Sequence, residues 1–249
     1  MKRIRIIPAL LLMNEGLYKT IQFKNPKYVG DPINTVKIFN EKGADEIVVL
    51  DIAASKEKKQ IDFKKITEIA GEAFMPMAYG GGVKTLEDAQ RIFDAGYEKV
   101  VLNTSAAENP SLVSEIAKVY GSQSAVVSID AKPNWLGKYK VYTQSGTKNI
   151  GKSPDEYAKE MENAGAGEMI INAINKDGTW EGYDLTLIKI VSEAVKVPVI
   201  ACGGAANMED LKKAISEGGA SAVSAGSMFV YQKKGMGVLI SFPAQGLKL

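Results

Sequence analysis

Short apolar segments alternate with amphipathic segments along nearly the whole chain. RIIPALLL (5–12) and IVVL (47–50) are apolar over the length of a buried strand. Runs such as TLEDAQRIFDAG (85–96) instead place their apolar residues three and four positions apart, which is typical of an amphipathic helix. The alternation continues through eight strands with helices between them, and it predicts a parallel sheet covered by helices.

The number of repeating units narrows the fold further. Eight strand–helix units in 249 residues fit a (β/α)8 TIM barrel better than an open doubly wound sheet. Barrels of this type commonly fill this length as one domain. We therefore expect a single α/β domain over residues 1–249, with no domain boundary inside it.

An internal repeat divides the expected barrel in two. A shift of 122 residues places 43–52 on 165–174 and 81–105 on 203–227 without a gap. Similar helix and strand composition could produce one such match, but a constant offset over two separate blocks favours a true repeat. We interpret the chain as two half-barrels of four units each.

Each half-barrel, about 1–121 and 122–249, has a glycine-rich turn after one strand and a small polar turn after its last strand. Such turns let backbone N–H groups approach an anion, and in a barrel they lie at the C-terminal face. The glycines could also serve only to permit tight turns. Because the turns occur as two matched pairs, we favour two phosphate sites, to which a lysine of the long first loop could contribute. The candidate residues are Lys19, Gly81, Gly82, Asn103, Thr104, Gly203, Gly204, Gly226 and Ser227.

Two carboxylates are expected between these turns. Asp130 ends the fifth predicted strand, and Asp177 lies in the loop after the sixth, so both are candidate general acids or bases at the mouth of the barrel. A turn for Asp177 and a cap for Asp130 are the structural alternatives. Asp51, which ends the second strand, could equally be a structural hydrogen-bond acceptor.

Four charged residues of alternating sign stand near the starts of strands one, two, four and six. They are Arg5, Glu46, Lys99 and Glu168. Charge at the N-terminal face of a barrel commonly serves stability. Charges packed around the barrel axis could instead form an opening that closes.

Composition excludes several classes of function. The chain has no histidine, which removes Ser-His and Cys-His catalysis and histidine-based zinc sites. A net charge of +2 gives no reason to expect nucleic acid or an anionic membrane as partner, and no apolar run approaches the length of a membrane helix. A single cysteine, Cys202, fits a reducing compartment, so we expect a cytoplasmic protein. We expect no metal and no cofactor.

Several motifs together resemble the HisF family, the cyclase subunit of imidazole glycerol phosphate synthase. Among them are GGGVKTLEDAQ (80–90), VSIDAK (127–132), GAGEMIINAINKDGTWEGYD (165–184) and VIACGGA (199–205). The resemblance implies a half-barrel duplication with a phosphate site in each half. It also implies a HisH-like glutaminase partner at the N-terminal barrel face, whose ammonia enters through the four-residue charged ring.

The resemblance is broken at the first strand. Members of the family carry catalytic aspartates at the ends of strands one and five; Asp130 matches the second, but Leu11 stands at the position of the first. A gap could bring Asn14 or Glu15 nearer. Leucine cannot transfer a proton, and the loss of a general acid–base group typically lowers a rate by about 10²–10⁴-fold. Closure of the imidazole ring, the reaction of the family, is therefore in doubt.

The C-terminal stretch GMGVLISFP (235–243) resembles a HisF-like branch linked to surface-polysaccharide and nonulosonate biosynthesis. In that branch a glutaminase and an N-acetyl sugar amidotransferase take part in converting acetamido to acetamidino sugars. We therefore favour ammonia delivery to a phosphorylated or nucleotide-linked acceptor. The alternatives are a true cyclase of histidine biosynthesis, which converts PRFAR and ammonia, and a non-catalytic scaffold that activates the glutaminase.

Overall fold

The protein is a closed barrel of parallel strands. The structure, a computed structural model, describes residues 4–57, 59–243 and 247. The strands are β1 (Arg5–Met13), β2 (Gly16–Ile21), β3 (Lys24–Gly30), β4 (Ile47–Asp51), β5 (Met77–Gly80), β6 (Lys99–Leu102), β7 (Ala125–Pro133), β8 (Tyr139–Thr143), β9 (Lys148–Asn149), β10 (Glu168–Ala173), β11 (Val199–Cys202) and β12 (Ala222–Ala225).

Eight of these strands form the barrel wall, in the order β1, β4, β5, β6, β7, β10, β11 and β12. All eight neighbouring pairs are parallel, and β12 returns to pair with β1, so that Arg5 lies beside Ala222. The predicted (β/α)8 barrel is confirmed.

Helices cover the outside of this wall. They are α1 (Pro32–Glu41), α2 (Ala54–Glu57), α3 (Phe63–Ala70), α4 (Leu86–Asp94), α5 (Thr104–Glu108), α6 (Ser111–Tyr120), α7 (Pro154–Asn163), α8 (Leu185–Ser192), α9 (Met208–Ser216) and α10 (Ser227–Val230). Local sequence fixes their starts: at α4 the Thr85 hydroxyl accepts from Asp88 N, and the Asp88 carboxylate accepts from Thr85 N. No helix in the described part of the chain is long and apolar enough to cross a membrane.

Two antiparallel hairpins extend the wall beyond the barrel. β2 and β3 continue from β1, and β8 and β9 continue from β7, which stands four strands away on the opposite side. The first hairpin replaces the long loop expected from the sequence. Its tip has left-handed backbone at Gln22 and Phe23, and the tip of the second has it at Gln144 and Ser145, again 122 residues later. This symmetry supports the proposed half-barrels.

The last strand is followed by only one helical turn, α10. The chain then runs along the outside of the barrel, where the Phe242 ring packs against Phe229 and Phe39 at centroid distances of 5.6 and 6.3 Å. Further on, the carbonyl of Leu247 accepts from the backbone N–H of Ile4. The described C-terminal residues thus pack on α1 and α10 and reach the residue that precedes β1.

The apolar core has two parts. The larger part lies between the wall and the helices, while a smaller cluster fills the inside of the barrel. The inner cluster is made of short aliphatic side chains: Ile7, Ala9, Val48, Ala78, Val101, Val126, Ile170, Ile200 and Ala222. Short side chains pack the barrel interior without filling its C-terminal mouth, and that mouth is left open for the site.

Candidate active site

A cavity of about 400 Å³ opens at the C-terminal end of the barrel strands. It is the end at which barrels of this class form their sites. Every residue that the sequence predicts for phosphate binding or catalysis lines it: Lys19, Gly81, Gly82, Asn103, Thr104, Asp130, Asp177, Gly203, Gly204, Gly226 and Ser227. The candidate residues of both half-barrels thus line one space.

The two glycine turns bring backbone close to neighbouring strands. Gly81 follows β5 with φ +113°, and a Cβ there would collide with the carbonyl of Asp51. Gly203 follows β11 with φ +88°, and a Cβ there would lie 2.6 Å from the Asn172 Oδ1 atom. Both positions therefore require glycine, for close approach as well as for left-handed backbone. Asp51 itself is a structural acceptor, since its Oδ1 accepts from the backbone N–H of Ala53 at 2.9 Å.

The hairpins reach over the cavity from opposite sides. In the first, the Thr20 hydroxyl donates to Asp177 Oδ2 at 3.0 Å, and Gln22 N donates to the Asp177 carbonyl at 2.9 Å. In the second, Gln144 N donates to the Thr104 hydroxyl at 3.1 Å. Each hairpin is thereby tied to a residue predicted for the site, and together they cover the mouth.

Asp130 is a buried carboxyl group in β7. Its oxygens accept weak hydrogen bonds from Ser128 Oγ at 3.4 Å and from Asn103 Nδ2 at 3.3 Å. Burial raises its pKa to about 7, helped by the charge of Asp177 and opposed by hydrogen bonds from Ser128 and Asn172. A carboxyl group of this pKa can both give and take a proton near neutrality.

Lys19 lies in β2 and is buried, whereas the sequence suggested a mobile lysine in a loop. Its Nζ donates to the carbonyl of Ala9 at 3.1 Å and rests against Gly226, where a Cβ would collide with it. Burial lowers the pKa of Lys19, and the charge of Asp177 opposes that shift. Burial likewise raises the pKa of Asp177, while Lys19 and Thr20 lower it. Lys19 and Asp177 are therefore two side chains of opposite charge that face each other's field on one side of the cavity.

The wall opposite Asp130 is aliphatic at Leu11. Leu11 in β1 lines the cavity and pairs in register with Leu50 of β4, which also lines it. β1 and β7 are the first and fifth strands of an eight-strand barrel, so Leu11 and Asp130 belong to opposite sides. The cavity therefore has the Asp130 carboxyl group on one side and the aliphatic side chain of Leu11 on the other.

At the opposite end of the barrel, four side chains form a closed ring of ion pairs. The Arg5 guanidinium bonds Glu46 at 2.5 Å and also bonds Glu168, while Lys99 Nζ bonds the same carboxylates at 2.8 and 2.7 Å. Burial disfavours the charged form of Arg5, but the hydrogen bonds and charges of Glu168 and Glu46 outweigh it and raise the pKa. The ring closes the barrel with no net charge.

A second, smaller void of about 10 Å³ lies inside the barrel directly above the ring. Glu46 and Glu168 form part of its lining. Its other lining residues are Ile7, Val48, Ala78, Val101, Val126, Ile170, Ile200 and Ser224. Four of these, Val48, Val101, Ile170 and Ser224, also line the large cavity, so ring, void and cavity follow one another along the barrel.

The sequence comparisons agree with this architecture. The family model described as "Histidine biosynthesis protein" matches residues 5–235. A Pseudomonas aeruginosa protein named "Putative imidazole glycerol phosphate synthase subunit hisF2" is 49% identical over 243 residues, which cover 98% of this chain and 97% of the relative. The chain belongs to the HisF family. The Vibrio vulnificus protein "Putative imidazole glycerol phosphate synthase subunit hisF3" is 43% identical over 100% of this chain and 96% of the relative. The Alkaliphilus metalliredigens protein "Imidazole glycerol phosphate synthase subunit HisF" is 39% identical over 92% of this chain and 91% of the relative.

Some residues of this HisF-family site were not predicted from the sequence. Thr20, Asn172 and Ser224 line the cavity without having been singled out. Asn172 lies beside Asp130 in register, but its Oδ1 has no hydrogen-bond partner among the described residues. The 122-residue offset could have revealed the hairpin tips, because Gln22 falls on Gln144. Within the described residues, no group of three or more His, Cys, Asp or Glu side chains could hold a metal ion.

The ring of this HisF-family chain should contribute to its stability. Glu168→Gln leaves Arg5 and Lys99 with Glu46 as their only ring carboxylate, so we expect the free energy of unfolding to fall by about 2–3 kcal/mol. Urea unfolding measures the change. The matched control is Glu193→Gln, which removes an exposed pair with Lys189 and should lower it by less than about 0.5 kcal/mol. Equal effects would mean that the ring does not act as a unit.

Proposed function

We propose that this chain is a synthase subunit that receives ammonia from a separate HisH-like glutaminase and passes it through the barrel to an acceptor beside Asp130. One observation carries the proposal: the charged ring, the small void and the large cavity follow one another along the barrel. A neutral molecule entering at the ring would meet a mostly aliphatic interior before it reached a carboxyl group. Ammonia is small enough for such a void, since about 10–15 Å³ accommodates one water molecule.

A separate source of ammonia follows from composition as well as from the family. The chain has no histidine, so it cannot hydrolyse glutamine with a cysteine–histidine pair. The names of its relatives call them subunits of imidazole glycerol phosphate synthase. We propose that the glutaminase docks on the N-terminal face, where Arg5 and Lys99 are the accessible members of the ring, with side chains 33% and 16% exposed.

We propose an acetamido sugar, phosphorylated or nucleotide-linked, as the acceptor. Leu11 supports this choice, because an aliphatic side chain stands where the second proton-transfer group of imidazole ring closure is expected. Asp130 supplies the remaining proton transfer, taking a proton from the attacking nitrogen and returning it to the departing oxygen. The glycine turns and Lys19 would bind the phosphate.

The chemistry needs one further partner. Ammonia adds to the acetamido carbon, and the carbon–oxygen bond breaks, so that C=NH replaces C=O. An amide oxygen leaves only after activation, for which we propose an N-acetyl sugar amidotransferase that uses a nucleoside triphosphate. The activated oxygen then leaves with the transferred group, and the barrel contributes ammonia and proton transfer.

A second candidate is the cyclase reaction of histidine biosynthesis, in which PRFAR and ammonia give imidazole glycerol phosphate. Two observations favour it: the family description and the relatives' names point to this pathway, and both glycine turns line one cavity, as a ligand with two phosphates requires. The aliphatic side chain of Leu11 weighs against it.

Product formation tests the proposed function. The chain, the glutaminase, the sugar amidotransferase, glutamine and a nucleoside triphosphate are combined with a nucleotide-linked acetamido sugar, and the product is followed by mass spectrometry. We expect an acetamidino sugar whose glutamine-dependent formation requires the chain. Equal formation without the chain, or with Asp130→Asn in its place, would contradict a role in the transfer.

A further inference from the structure

We propose that Trp180 is a stacking surface for a nucleobase, so that this site takes a nucleotide-linked sugar rather than a sugar phosphate. The inference deepens the proposed function, on which the acetamido sugar as acceptor rests. Its evidence is an indole ring that lines the cavity without a partner, and a series of contacts that leads from its loop to Asp130 through a glycine turn.

Trp180 is held in a backbone conformation that bulky residues rarely adopt. It lies in the loop between β10 and α8 with φ +64°, in the left-handed region. Both of its neighbours bond to Lys176: the Thr179 hydroxyl donates to the Lys176 carbonyl at 2.8 Å, and Lys176 Nζ pairs with the Glu181 carboxylate at 3.2 Å. Such strain is typical of ligand sites, where the surrounding structure imposes it.

The indole ring of Trp180 is half-buried and lines the cavity. Among the described residues, none hydrogen-bonds to this ring, stacks on it or places a cation over it. The other tryptophan, Trp135, is 89% exposed in the turn between β7 and β8 and does not line the cavity. A flat ring in a cavity suits a flat ligand, because aromatic faces stack on one another and every nucleobase has such a face.

A series of contacts connects this loop with the carboxyl group of Asp130. Asn172 pairs in register with Asp130, and a Cβ at Gly203 would lie 2.6 Å from Asn172 Oδ1. The carbonyl of Gly204 then accepts from the backbone N–H of Gly182 at 3.0 Å. Gly182 is two residues beyond the tryptophan. The carboxyl group, the glycine turn and the loop of the aromatic ring therefore follow one another.

This order matches the parts of a nucleotide-linked sugar. With the acetamido group at Asp130, the phosphate lies at the turn of Gly203 and Gly204, and the nucleoside extends to Trp180. The burial of the two end groups agrees with this, because Asp130 is only 8% exposed whereas Trp180 is half-buried. A sugar phosphate would end at the turn and would leave the indole ring uncovered.

The two tryptophans of the chain allow a direct test, because each serves as the control of the other. In Trp135→Phe the remaining tryptophan is Trp180, and its fluorescence, excited at the red edge of the indole band, is followed while AMP, CMP, GMP or UMP is added to the chain alone. We expect saturable quenching by at least one of them, because a base stacked on the indole ring quenches its emission. In Trp180→Phe the fluorescence of Trp135 should show no saturable change.

Calorimetric titration measures what the ring contributes to binding. Trp180→Ala should weaken the binding of the quenching nucleotide about 5–100-fold, as expected for loss of stacking between a base and an aromatic ring. Trp180→Phe keeps a flat ring and should weaken it less. Ribose 5-phosphate and N-acetylglucosamine 1-phosphate have a phosphate but no base, so Trp180→Ala should bind them as well as the unmodified chain does. Left-handed backbone accepts alanine no worse than tryptophan, so this variant should remain folded.

No saturable quenching by any of the nucleotides, or equal nucleotide affinity of Trp180→Ala and the unmodified chain, would overturn the proposal. An equal loss of affinity for ribose 5-phosphate would also contradict it, because the ring would then act on the shape of the site and not on a base. Neither the glutaminase nor the sugar amidotransferase is present in these titrations. Failure of the stacking surface is therefore distinguishable from failure of ammonia transfer, which the product assay measures.

Discussion

Leu11→Asp should gain PRFAR cyclase activity by about 10²–10⁴-fold when ammonium is supplied in excess. The unmodified chain should turn PRFAR over far more slowly than a normal cyclase, because Leu11 cannot transfer a proton and the cavity-lining carboxylate beside β1, Asp51, is occupied by the backbone N–H groups of Ala53 and Ala54. The substitution places a second proton-transfer group on β1, facing the same cavity. Excess ammonium removes any dependence on the glutaminase.

The matched control is Leu11→Asn, which has the shape of Asp but cannot act as a general acid or base near neutral pH. It should remain as slow as the unmodified chain. Turnover at a normal cyclase rate by the unmodified chain would mean that another group, such as Glu15, replaces the missing acid. In that case the histidine-pathway candidate would replace the sugar acceptor.

Asp130→Asn should lower ammonia-dependent product formation by about 10²–10⁴-fold, since the variant has no proton-transfer group at this point of the cavity.

Asp130→Asn should also change how the free energy of unfolding depends on pH. The folded-state pKa of Asp130 is raised from 3.8 to about 7, so the folded chain holds a proton that the unfolded chain releases. Stability conferred by the protonated carboxyl is therefore present at about pH 4 and lost as pH rises to about 7.

Because asparagine does not ionise, the variant should lack this decline and be about 2–4 kcal/mol more stable than the unmodified chain at alkaline pH. Urea unfolding at several pH values measures both curves. Asp177→Asn serves as comparison, since Asp177 is a partner of Lys19 and Thr20. Parallel curves for Asp130→Asn and the unmodified chain would contradict a raised pKa at Asp130.

The barrel itself could be predicted from periodicity. Continuous apolar strands and amphipathic helices alternate strongly, and local caps such as Thr85 and Asp88 define where a helix begins. The β2–β3 hairpin was not predicted, because a strand such as Gly16–Ile21 gains its stability from pairing with β1 and from covering the mouth, neither of which is local. Strand pairing of this kind is decided by tertiary contacts rather than by propensity.

The candidate residues of the cavity could be predicted from the sequence, but their burial and contacts could not. The 122-residue repeat placed the glycine turns and small polar turns on one face, and alternating charge at strand starts indicated the ring. Sequence could not reveal that Lys19 is buried against Gly226 or that Asp130 is desolvated. These properties depend on which side chains meet across the barrel.

Isotope partitioning in the reconstituted assembly gives the most direct test of the proposed passage of ammonia through the barrel. Glutamine labelled with ¹⁵N at its amide is supplied together with excess unlabelled ammonium, and the ¹⁵N content of the acetamidino product is measured. We expect the product to carry mainly glutamine-derived ¹⁵N. Glu168→Gln, which opens the ring, should shift the ¹⁵N content toward that of the bulk ammonium. A product with the isotopic composition of the bulk solution from the unmodified chain would contradict passage through the barrel.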